Sequence, residues 1–563
     1  MAVGINSVES GARCTSTRSD TCFRRTFLRG LLVIPSMFRA GTPASRSLLR
    51  LRVWSLQAAS ARTFSSRATS VLDELESRGL VQAITSRALR QHVNTTDASG
   101  QLVPRTVYSG VDPSAASLHV GNLLPLLSLL HFALRGHTAL VLVGGATGAI
   151  GDPSGRSSER SALAKEQLEA NVASISAQVR QFFQNAQAYL HRRNVEPPAT
   201  QRPVGLDKPA GERMMDGWLD VRIVNNLDWT RDITMLEFLA TVGRHARVSD
   251  MLARDSVKNR LAPAEDAADS SSPVGLSFTE LSYQLLQAFD FSVLHGAPWN
   301  CSIQLGGSDQ MGNINAGIDL IRRQRAAQSD ASAPTMREDP AYGLTLPLLL
   351  TSTGAKFGKS AGNAVWTSPD LLSDYEYYQF FVRSADADVE RYLRTLTLLP
   401  HEEIQRIIEQ HAEAPAKRFA QTRLAEEMTE LVRGRDAVQR AKTATSVLFG
   451  TDIEALTLDD VLFAFANDTR LVHLPREAWV GADILALAAQ TKLVKSKGTP
   501  GVACSNTDPP GEARRLVQQG GGLYLNNVKV TDTGAKLSQG SLLHGSFIVL
   551  RAGKTHHKIV VLD

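Results

Sequence analysis

Short apolar runs and longer segments of helical spacing alternate along the middle of the chain. The apolar runs are bounded by glycine, proline and small polar residues, which is typical of buried strands. The predicted strands are Thr106–Ser109, Thr138–Val143, Val221–Val224, Ser302–Leu305 and Leu344–Leu350. Because helical segments separate successive strands over about 280 residues, we predict an α/β domain with a Rossmann-like, doubly wound and mostly parallel sheet.

Helical spacing is continuous in three early segments and throughout one later region. The early helices are predicted over Val71–Val93, His119–Arg135 and Leu163–Arg193. From Leu372 to Leu448 the pattern is almost wholly helical. After Lys492 it changes to a short helix, Gly511–Gln519, with several short strands.

These changes of pattern divide the chain into four parts. We predict a leader over 1–67, an α/β domain over 68–384, a helical domain over 385–485 and a small α+β domain over 486–563. Two polar stretches punctuated by small residues, near 196–213 and 262–274, are predicted to be surface insertions.

The composition is that of an ordinary globular protein. The 563 residues are 43% hydrophobic and 21% charged, which excludes collagen-like, coiled-coil and wholly disordered chains. No apolar run approaches the ~20 residues of a membrane span, so we expect no membrane segment. The four cysteines, Cys14, Cys22, Cys301 and Cys504, include no CxxC pair, which argues against a cysteine zinc site or a disulfide framework.

The net charge of +5 is unevenly distributed. Residues 1–67 hold eleven Arg, no Lys and only two acids, Glu9 and Asp20, a net +9. Residues 491–563 hold ten Lys or Arg and four acids, a net +6, so the remaining middle carries −10. An Arg- and Ser-rich N-terminal segment poor in acids is typical of a mitochondrial presequence. The alternative is a disordered basic tail that binds nucleic acid.

One candidate ligand site lies where the first strand of the α/β part leads into a helix. The loop carrying Asp112 and Ser114 reaches that helix at His119, and a helix N-terminus presents unpaired N–H groups and a positive dipole to a phosphate. His119 adds a donor, and Gly121 lets a nucleotide approach the backbone closely. By itself, a histidine at a helix start is more often a local hydrogen bonder than a phosphate ligand.

A second candidate is the loop Lys356-Phe357-Gly358-Lys359-Ser360, which follows the last predicted strand. Two lysines three positions apart on a glycine-containing loop can both reach one polyphosphate. A solvated basic turn is the alternative.

Three polar side chains share one face of a further predicted helix. Tyr283, Gln287 and Asp290 are spaced i, i+4, i+7, so a phenol, an amide and a carboxylate converge and could bind a small polar ligand. An ordinary solvated face is the alternative. Glycines and carboxylates also follow two strands, over Gly144–Arg156 and Gln304–Gln310, where open α/β sheets bind ligands.

Together these motifs resemble those of the tyrosyl-tRNA synthetases of bacterial and mitochondrial type, which are class I aminoacyl-tRNA synthetases. His119-Val120-Gly121-Asn122 stands where the class I His-Ile-Gly-His signature would be. Lys356–Ser360 stands where the Lys-Met-Ser-Lys-Ser loop would be. The resemblance covers residues 72–563 and is strongest over Leu142–Gly155 and Leu305–Gly312.

The resemblance implies a role for each site residue. Catalytic roles would fall to His119, Asn122, Lys356, Lys359 and Ser360. ATP would be held by Asp112, Ser114, His119, Gly121, Gly307, Asp309, Lys356 and Lys359. Tyrosine would be held by Tyr108 and Asp290 at its hydroxyl, by Asp152, Tyr283 and Gln287 at its ammonium group, and by Gln310 near its carboxylate.

The implied activity is that of a tyrosine–tRNA ligase in the mitochondrial matrix. L-tyrosine would react with ATP to give tyrosyl-adenylate and pyrophosphate, and the tyrosyl group would pass to the 3′ end of tRNA(Tyr). Positioning and charge stabilisation would supply the catalysis. Mg²⁺ would accompany ATP, with no dedicated protein metal site. Asn122 replaces the second signature histidine but can still donate a hydrogen bond, and Pro125 removes one N–H from the helix.

The resemblance also assigns the C-terminal parts and the assembly. Residues 385–485 would bind the anticodon, and 486–563 would form an S4-like RNA-binding domain in which Arg514, Arg515 and Lys529 contact RNA. A net +6 there favours binding to phosphates. A homodimer is implied as well.

Two alternatives carry a different function on the same scaffold. One is an RNA-binding protein or group I intron splicing cofactor, in addition to or instead of charging tRNA. The other is a pseudo-enzyme, against which the intact lysine pair and tyrosine pocket argue.

Overall fold

A computed structural model describes the chain over residues 70–154, 163–195, 212–213, 218–254, 257–258, 261, 276–328, 339–352, 354, 364–450, 453–466, 468–494, 511–518, 522–553 and 556–563. Several predicted features lie outside these residues. They are the 1–67 leader, the 262–274 insertion, most of the 196–213 insertion, and the loop residues Lys356, Lys359 and Ser360.

A seven-stranded sheet forms the centre of the α/β part within the described residues. Its strands are β1 (Ala83–Ile84), β2 (Thr106–Val111), β3 (Thr138–Val143), β4 (Glu212–Arg213), β5 (Val221–Asn225), β6 (Cys301–Gly307) and β7 (Tyr342–Leu346). They lie in the order β1-β7-β6-β2-β3-β5-β4. The five inner strands are parallel, whereas β1 and β4 pair antiparallel at the two edges. The predicted mostly parallel sheet is therefore confirmed.

Helices cover both faces of this sheet because the strands are apolar on both sides. The helices are α1 (Val71–Ser77), α2 (Ala88–Val93), α3 (Leu123–Leu134), α4 (Thr147–Ile150), α5 (Lys165–Arg192), α6 (Leu227–Thr230), α7 (Met235–Thr241), α8 (Val248–Leu252), α9 (Phe278–His295) and α10 (Met311–Gln328). Successive residues of β2 contribute to different cores: Val107 packs with α3, whereas Tyr108 packs with Phe291 of α9. This alternation is the period-2 geometry of a strand buried on both faces.

Two sequence predictions of secondary structure were wrong in their extent. The single helix predicted over Val71–Val93 is instead α1 and α2 with strand β1 between them. Gly79, with φ +73°, ends α1, and Leu80 N–H donates back to Leu75 O at 2.8 Å, as in a Schellman motif. Strand β7 ends at Leu346 because Pro347 has no N–H to continue the ladder.

Along the chain, the described residues between β7 and the C-terminal sheet are mostly helical. The helices are α11 (Asp374–Val382), α12 (Asp386–Leu396), α13 (His401–Glu413), α14 (Phe419–Arg433), α15 (Arg435–Phe449) and α16 (Leu458–Ala464). Helix α14 also packs against α5 of the α/β part, where the Tyr189 hydroxyl donates to the buried carboxylate of Glu427. Arg193 pairs with the same carboxylate at 2.6 Å.

The C-terminal residues form a second sheet in the described part of the chain. Its strands are β8 (Leu471–Leu474), β9 (Leu523–Leu525), β10 (Val528–Lys529), β11 (Phe547–Ala552) and β12 (His556–Leu562), in the order β10-β9-β11-β12-β8. Helices α17 (Arg476–Trp479), α18 (Ile484–Gln490) and α19 (Gly511–Gln518) accompany it. Strand β8 pairs with β12, so this sheet draws on residues on both sides of the predicted boundary at 485/486. None of the described helices is both long and apolar enough to cross a membrane.

Candidate active site

A cavity of about 330 Å³ opens at the carboxyl ends of β2 and β6. Twelve of the predicted site residues line it: Tyr108, Asp112, Ser114, His119, Asn122, Asp152, Tyr283, Gln287, Asp290, Gly307, Asp309 and Gln310. Gly121 lies in the 3₁₀ turn Val120–Asn122 before α3 but does not line the cavity. The three lysine-loop residues lie outside the described part of the chain.

The start of α3 is closed by a reciprocal pair of hydrogen bonds between His119 and Asn122. Asn122 Oδ1 accepts from the His119 N–H at 3.0 Å, and the Asn122 N–H donates to the His119 carbonyl at 2.8 Å. The first of these bonds is one half of a capping box and satisfies a donor at a helix start. Asn122 therefore holds the turn that places His119 at the cavity.

Both oxygens of the Asp112 carboxylate accept hydrogen bonds from other elements of the site. The Tyr283 hydroxyl of α9 donates to Oδ2 at 2.8 Å, and the Thr147 hydroxyl of α4 donates to Oδ1 at 2.9 Å. Burial, followed by the nearby charge of Asp112, raises the pKa of Tyr283 well above its usual value. A Cβ on Gly144 would lie 2.4 Å from both Asp112 Oδ1 and Thr147 Oγ1, so glycine at 144 leaves room for this junction.

The Asp290 carboxylate is buried and held by two uncharged donors. Asn226 Nδ2 donates to Oδ2 at 3.0 Å, and Trp229 Nε1 donates to Oδ1 at 2.9 Å. Burial raises the pKa of Asp290 to about 7, because the two hydrogen bonds only partly offset the loss of water. Asp290 thus sits near its ionisation point at neutral pH.

Tyr108 presents a buried phenol to the same cavity. Its side chain is 1% exposed, and its hydroxyl has no hydrogen-bond partner among the described residues. Burial and the charge of Asp290 raise the pKa of Tyr108 well above its usual value, so the phenol stays protonated. A buried polar group without a partner costs free energy, which a ligand hydroxyl could recover.

A chain of amide side chains organises the opposite part of the site. Gln310 Nε2 donates to Asp152 Oδ2 at 2.6 Å, and Gln287 Nε2 donates to Gln310 Oε1 at 3.2 Å. Asn313 Nδ2 donates to Gln287 Oε1 at 3.1 Å. The structure thus brings Asp152, Gln287 and Gln310 together.

Four residues of this network were missed by the sequence reasoning: Thr147, Asn226, Trp229 and Asn313. Asn226 directly follows β5, and Thr147 follows β3 by four positions. The rule that ligand sites lie beyond the carboxyl ends of strands would have found both of them. Trp229 likewise follows β5 by four positions, but nothing in the sequence indicates that its indole reaches Asp290.

The predicted RNA-contacting residues lie at the surface of the C-terminal part. Arg514 and Arg515 are exposed on α19, whose opposite face buries Ala513 and Val517. Lys529 is exposed on β10. Their role in RNA binding stays a prediction.

Comparison with known proteins places this geometry in a family. The family model for class I tRNA synthetases (W and Y) matches residues 102–450. A tyrosine–tRNA ligase of Roseiflexus castenholzii is 39% identical over 497 residues, which span 88% of this chain and 100% of the relative. The mitochondrial tyrosine–tRNA ligase of Saccharomyces cerevisiae is 38% identical, over 87% of this chain and 89% of the relative.

Solved structures agree with the sequence relatives. A C-terminally truncated mitochondrial tyrosyl-tRNA synthetase of Aspergillus nidulans matches with a TM-score of 0.56 at 31% identity, covering 69% of this chain and 98% of that chain. The corresponding enzyme of Coccidioides posadasii matches with a TM-score of 0.54 at 33% identity, covering 68% of this chain and 93% of that chain. The chain therefore belongs to the class I tRNA synthetases and, within them, to the tyrosine–tRNA ligase family.

Proposed function

We propose that the chain is a mitochondrial tyrosine–tRNA ligase of the matrix. The proposal rests above all on the buried pair of Tyr108 and Asp290, which offers a hydroxyl and a carboxylate to the phenol of tyrosine. The phenol O–H would donate to Asp290 and accept from Tyr108. Phenylalanine would leave both groups unpaired, and such pockets reject the analogue that lacks the hydroxyl. Tyrosyl-tRNA synthetases are themselves the standard example of this kind of selectivity.

The remaining polar groups fit the other parts of the substrates. The Asp152 carboxylate and the Gln287 amide would bind the ammonium group, with Tyr283 beside them. The Gln310 amide would lie near the reacting carboxylate. Asp112, Ser114 and Asp309 would hold ATP, with Gly307 giving the ribose access to the backbone. His119 would then donate to a phosphate at the start of α3.

The reaction needs no protein nucleophile in this arrangement. The tyrosine carboxylate would attack the α-phosphate of ATP, forming the mixed anhydride and releasing pyrophosphate, and a ribose hydroxyl of tRNA(Tyr) would then displace AMP. The protein would act by holding the reacting atoms in line and by donating hydrogen bonds to the phosphate charge. The lysine loop would grip the outgoing phosphates. Mg²⁺ would be carried mainly by the ATP phosphates and would neutralise their charge.

The activation step is tested by tyrosine-dependent exchange of pyrophosphate into ATP on the purified chain, with phenylalanine and tryptophan in parallel. We expect exchange with tyrosine alone. Exchange with tryptophan would contradict the pocket assignment. If none of the three amino acids supported exchange, the RNA-binding or splicing hypothesis would become the better one.

We also propose that the protein is a homodimer. Large apolar side chains are exposed on α7, α8 and the first turn of α9: Met235 is 75% exposed, Leu236 81%, Val248 64% and Phe278 74%. Phe238 packs edge-on against Phe289, which fixes α7 on α9. An exposed apolar patch of this kind is typical of a protein interface.

The dimer is tested by sedimentation of Leu236→Asp and Phe278→Asp. We expect both variants to dissociate to monomers at concentrations where the wild type is dimeric. Val528→Asp is the matched control, because Val528 is 71% exposed on β10, in the C-terminal sheet. Monomeric wild-type protein would contradict the proposal.

Finally, we propose that Arg514, Arg515 and Lys529 contact tRNA(Tyr) through its phosphates. Substituting Arg514 and Arg515 by Gln should weaken tRNA binding and reduce the slope of log affinity against log salt by about one for each lost contact. Lys165→Gln on α5 is the control, because its side chain is exposed (82%). An unchanged salt slope in the double variant would contradict this assignment.

A further inference from the structure

The chain segments next to the two predicted ATP signatures are hydrogen-bonded to each other. Val120 N–H donates to Val365 O at 3.0 Å, and Thr367 N–H donates to Leu118 O at 2.9 Å. His119 and Trp366 form the antiparallel bridge between them. Trp366 follows Ser360, the last residue of the lysine loop, by six positions. The segment that leaves the lysine loop is therefore paired with the segment that carries His119.

A glutamine from α5 joins the same two segments. Gln178 Oε1 accepts from the Leu118 N–H at 3.0 Å and from the Thr367 hydroxyl at 2.9 Å. The Thr367 hydroxyl also lies 3.1 Å from Leu118 O. Side-chain and backbone hydrogen bonds thus hold this pairing together, so a shift of one segment shifts the other.

Arg433, the last residue of α14, binds the backbone of the paired segment directly. Its guanidinium donates to three successive carbonyls: Trp366 O at 3.1 Å, Thr367 O at 3.0 Å and Ser368 O at 3.3 Å. Its remaining nitrogen pairs with Asp374 at 3.0 Å, and the side chain is 4% exposed. The guanidinium also lies over the ring of Tyr377, 4.3 Å from its centroid.

The segment that enters the lysine loop is attached to the helical region too. Leu350 O accepts from Arg391 Nη2 at 2.6 Å and from the Tyr392 hydroxyl at 3.2 Å. Ser352 N–H donates to Asp388 at 3.0 Å. All three side chains belong to α12. Helices α12 and α14 of the helical region therefore hold the chain on both sides of the lysine loop.

We propose that Arg433 is a positioning residue for the ATP end of the site, acting on His119 through residues 366–368 and their pairing with 118–120. The proposal rests on the proposed function, because its main readout is tyrosyl-adenylate formation. Arg433 suits this role because a planar guanidinium offers several donors in a fixed fork, which a lysine ammonium cannot reproduce. The tyrosine end of the site is built on α9 and β2. None of the contacts described for Arg433 goes to either of these elements.

The test compares Arg433→Lys with the wild type by pyrophosphate exchange. We expect kcat to fall about tenfold, since small displacements of reacting groups are costly, while KM for tyrosine changes by less than about twofold. Active-site titration should show the same active fraction in both proteins. Arg440→Gln is the control, because Arg440 pairs with the same Asp374 at 2.7 Å without a bond to residues 366–368. It should leave kcat unchanged.

Two results would overturn the proposal: an unchanged kcat in Arg433→Lys, or a loss of kcat accompanied by an equal loss of tyrosine affinity or active fraction. If Arg433→Lys fails to fold, Thr367→Val decides, because it removes only the hydroxyl that joins Gln178 and Leu118. A lower kcat at unchanged tyrosine KM supports the proposal, and a wild-type kcat refutes it.

Failure of the proposed function is recognised separately, as absence of tyrosine-dependent exchange in the wild type. In that case amide hydrogen exchange at Val120 and Thr367 still tests whether Arg433 stabilises the pairing of residues 366–368 with 118–120. Both amides should exchange faster in Arg433→Lys than in the wild type or Arg440→Gln, and equal rates would refute this stabilisation.

Discussion

The indole N–H of Trp229 donates to the buried carboxylate of Asp290 at 2.9 Å, and this bond fixes the direction of one carboxylate oxygen. Asn226 fixes the other at 3.0 Å. Because both donors are uncharged, they orient the carboxylate without neutralising it. The result is an aligned acceptor whose proton affinity is unusually high, beside the phenol of Tyr108.

Asp290→Asn should lower kcat/KM for tyrosine activation by about a hundredfold, because a hydrogen bond to a charged acceptor is lost from a buried site. The rate with phenylalanine should change little, so discrimination between the two amino acids narrows. Pyrophosphate exchange with both substrates measures this. Asp228→Asn, exposed on α6, is the control. Equal losses with tyrosine and phenylalanine would show that Asp290 does not read the hydroxyl.

The stability of the protein should depend on pH through Asp290. Burial raises its pKa from an ordinary 3.8 to about 7, so between these values the folded chain keeps a proton that the unfolded chain has lost. The free energy of unfolding therefore falls as pH rises from 4 to 7 and levels off above 7. The Asp290→Asn variant has no carboxyl group at this position, so its free energy of unfolding lacks this dependence on pH.

The melting temperature of Asp290→Asn relative to the wild type should therefore increase from about pH 5 to about pH 7.5. Thermal unfolding of both proteins across this range is the measurement. A difference that stays constant with pH would mean that Asp290 titrates normally in the folded protein.

Asn226→Ala should impair both stability and tyrosine use. The substitution removes a side-chain amide whose NH₂ donates to Asp290 and to the Thr147 hydroxyl. The oxygen of the same amide accepts from the Ala146 N–H. We expect a loss of about 1–3 kcal/mol in the free energy of unfolding, since buried groups lose their partners. With one donor gone the pKa of Asp290 rises further, so kcat/KM for tyrosine at pH 7 should fall more than at pH 8.5. A loss of kcat/KM that is equal at both pH values would contradict this link.

Glu427→Ala should destabilise the contact between α5 and α14 by about 3 kcal/mol, because it removes a carboxylate that is only 3% exposed and leaves the half-buried Arg193 and the buried Tyr189 hydroxyl without this acceptor. Glu430→Ala is the matched control on the same helix face. Its partner Arg192 is 34% exposed, so the loss there should stay below about 1 kcal/mol. Urea unfolding followed by circular dichroism compares the two. Equal losses in the free energy of unfolding would show that the burial of Glu427 does not add to the stability of this contact.

The parallel sheet could be predicted from short-range patterns, and twelve of the residues that line the cavity from such patterns together with the family resemblance. Strand ends mark where ligands bind, and the spacing of Tyr283, Gln287 and Asp290 places them on one side of a helix; all three line the cavity. The bonds of Asn226 and Trp229 to Asp290 could not be predicted, because they depend on how the chain after β5 packs against α9, which no local pattern encodes.

The contacts of Arg433 are equally beyond prediction from local sequence. They join residues separated by 65 to 67 positions, and a single arginine at a helix end is compatible with many roles. The error over Val71–Val93 has the same origin, since β1 exists only because the edge of β7 is there to pair with it.

Helix α1 sets a limit on how far the basic N-terminal segment can be trimmed. Leu72, Leu75 and Leu80 are each 0% exposed in the main core, and the Leu72 N–H donates to the Ser70 hydroxyl at 3.3 Å. Each of these leucines contributes about 1.5–3 kcal/mol by burial. If the predicted leader over 1–67 is cleaved, we expect the cut on the N-terminal side of Ser70, because a later cut would remove part of the folded core.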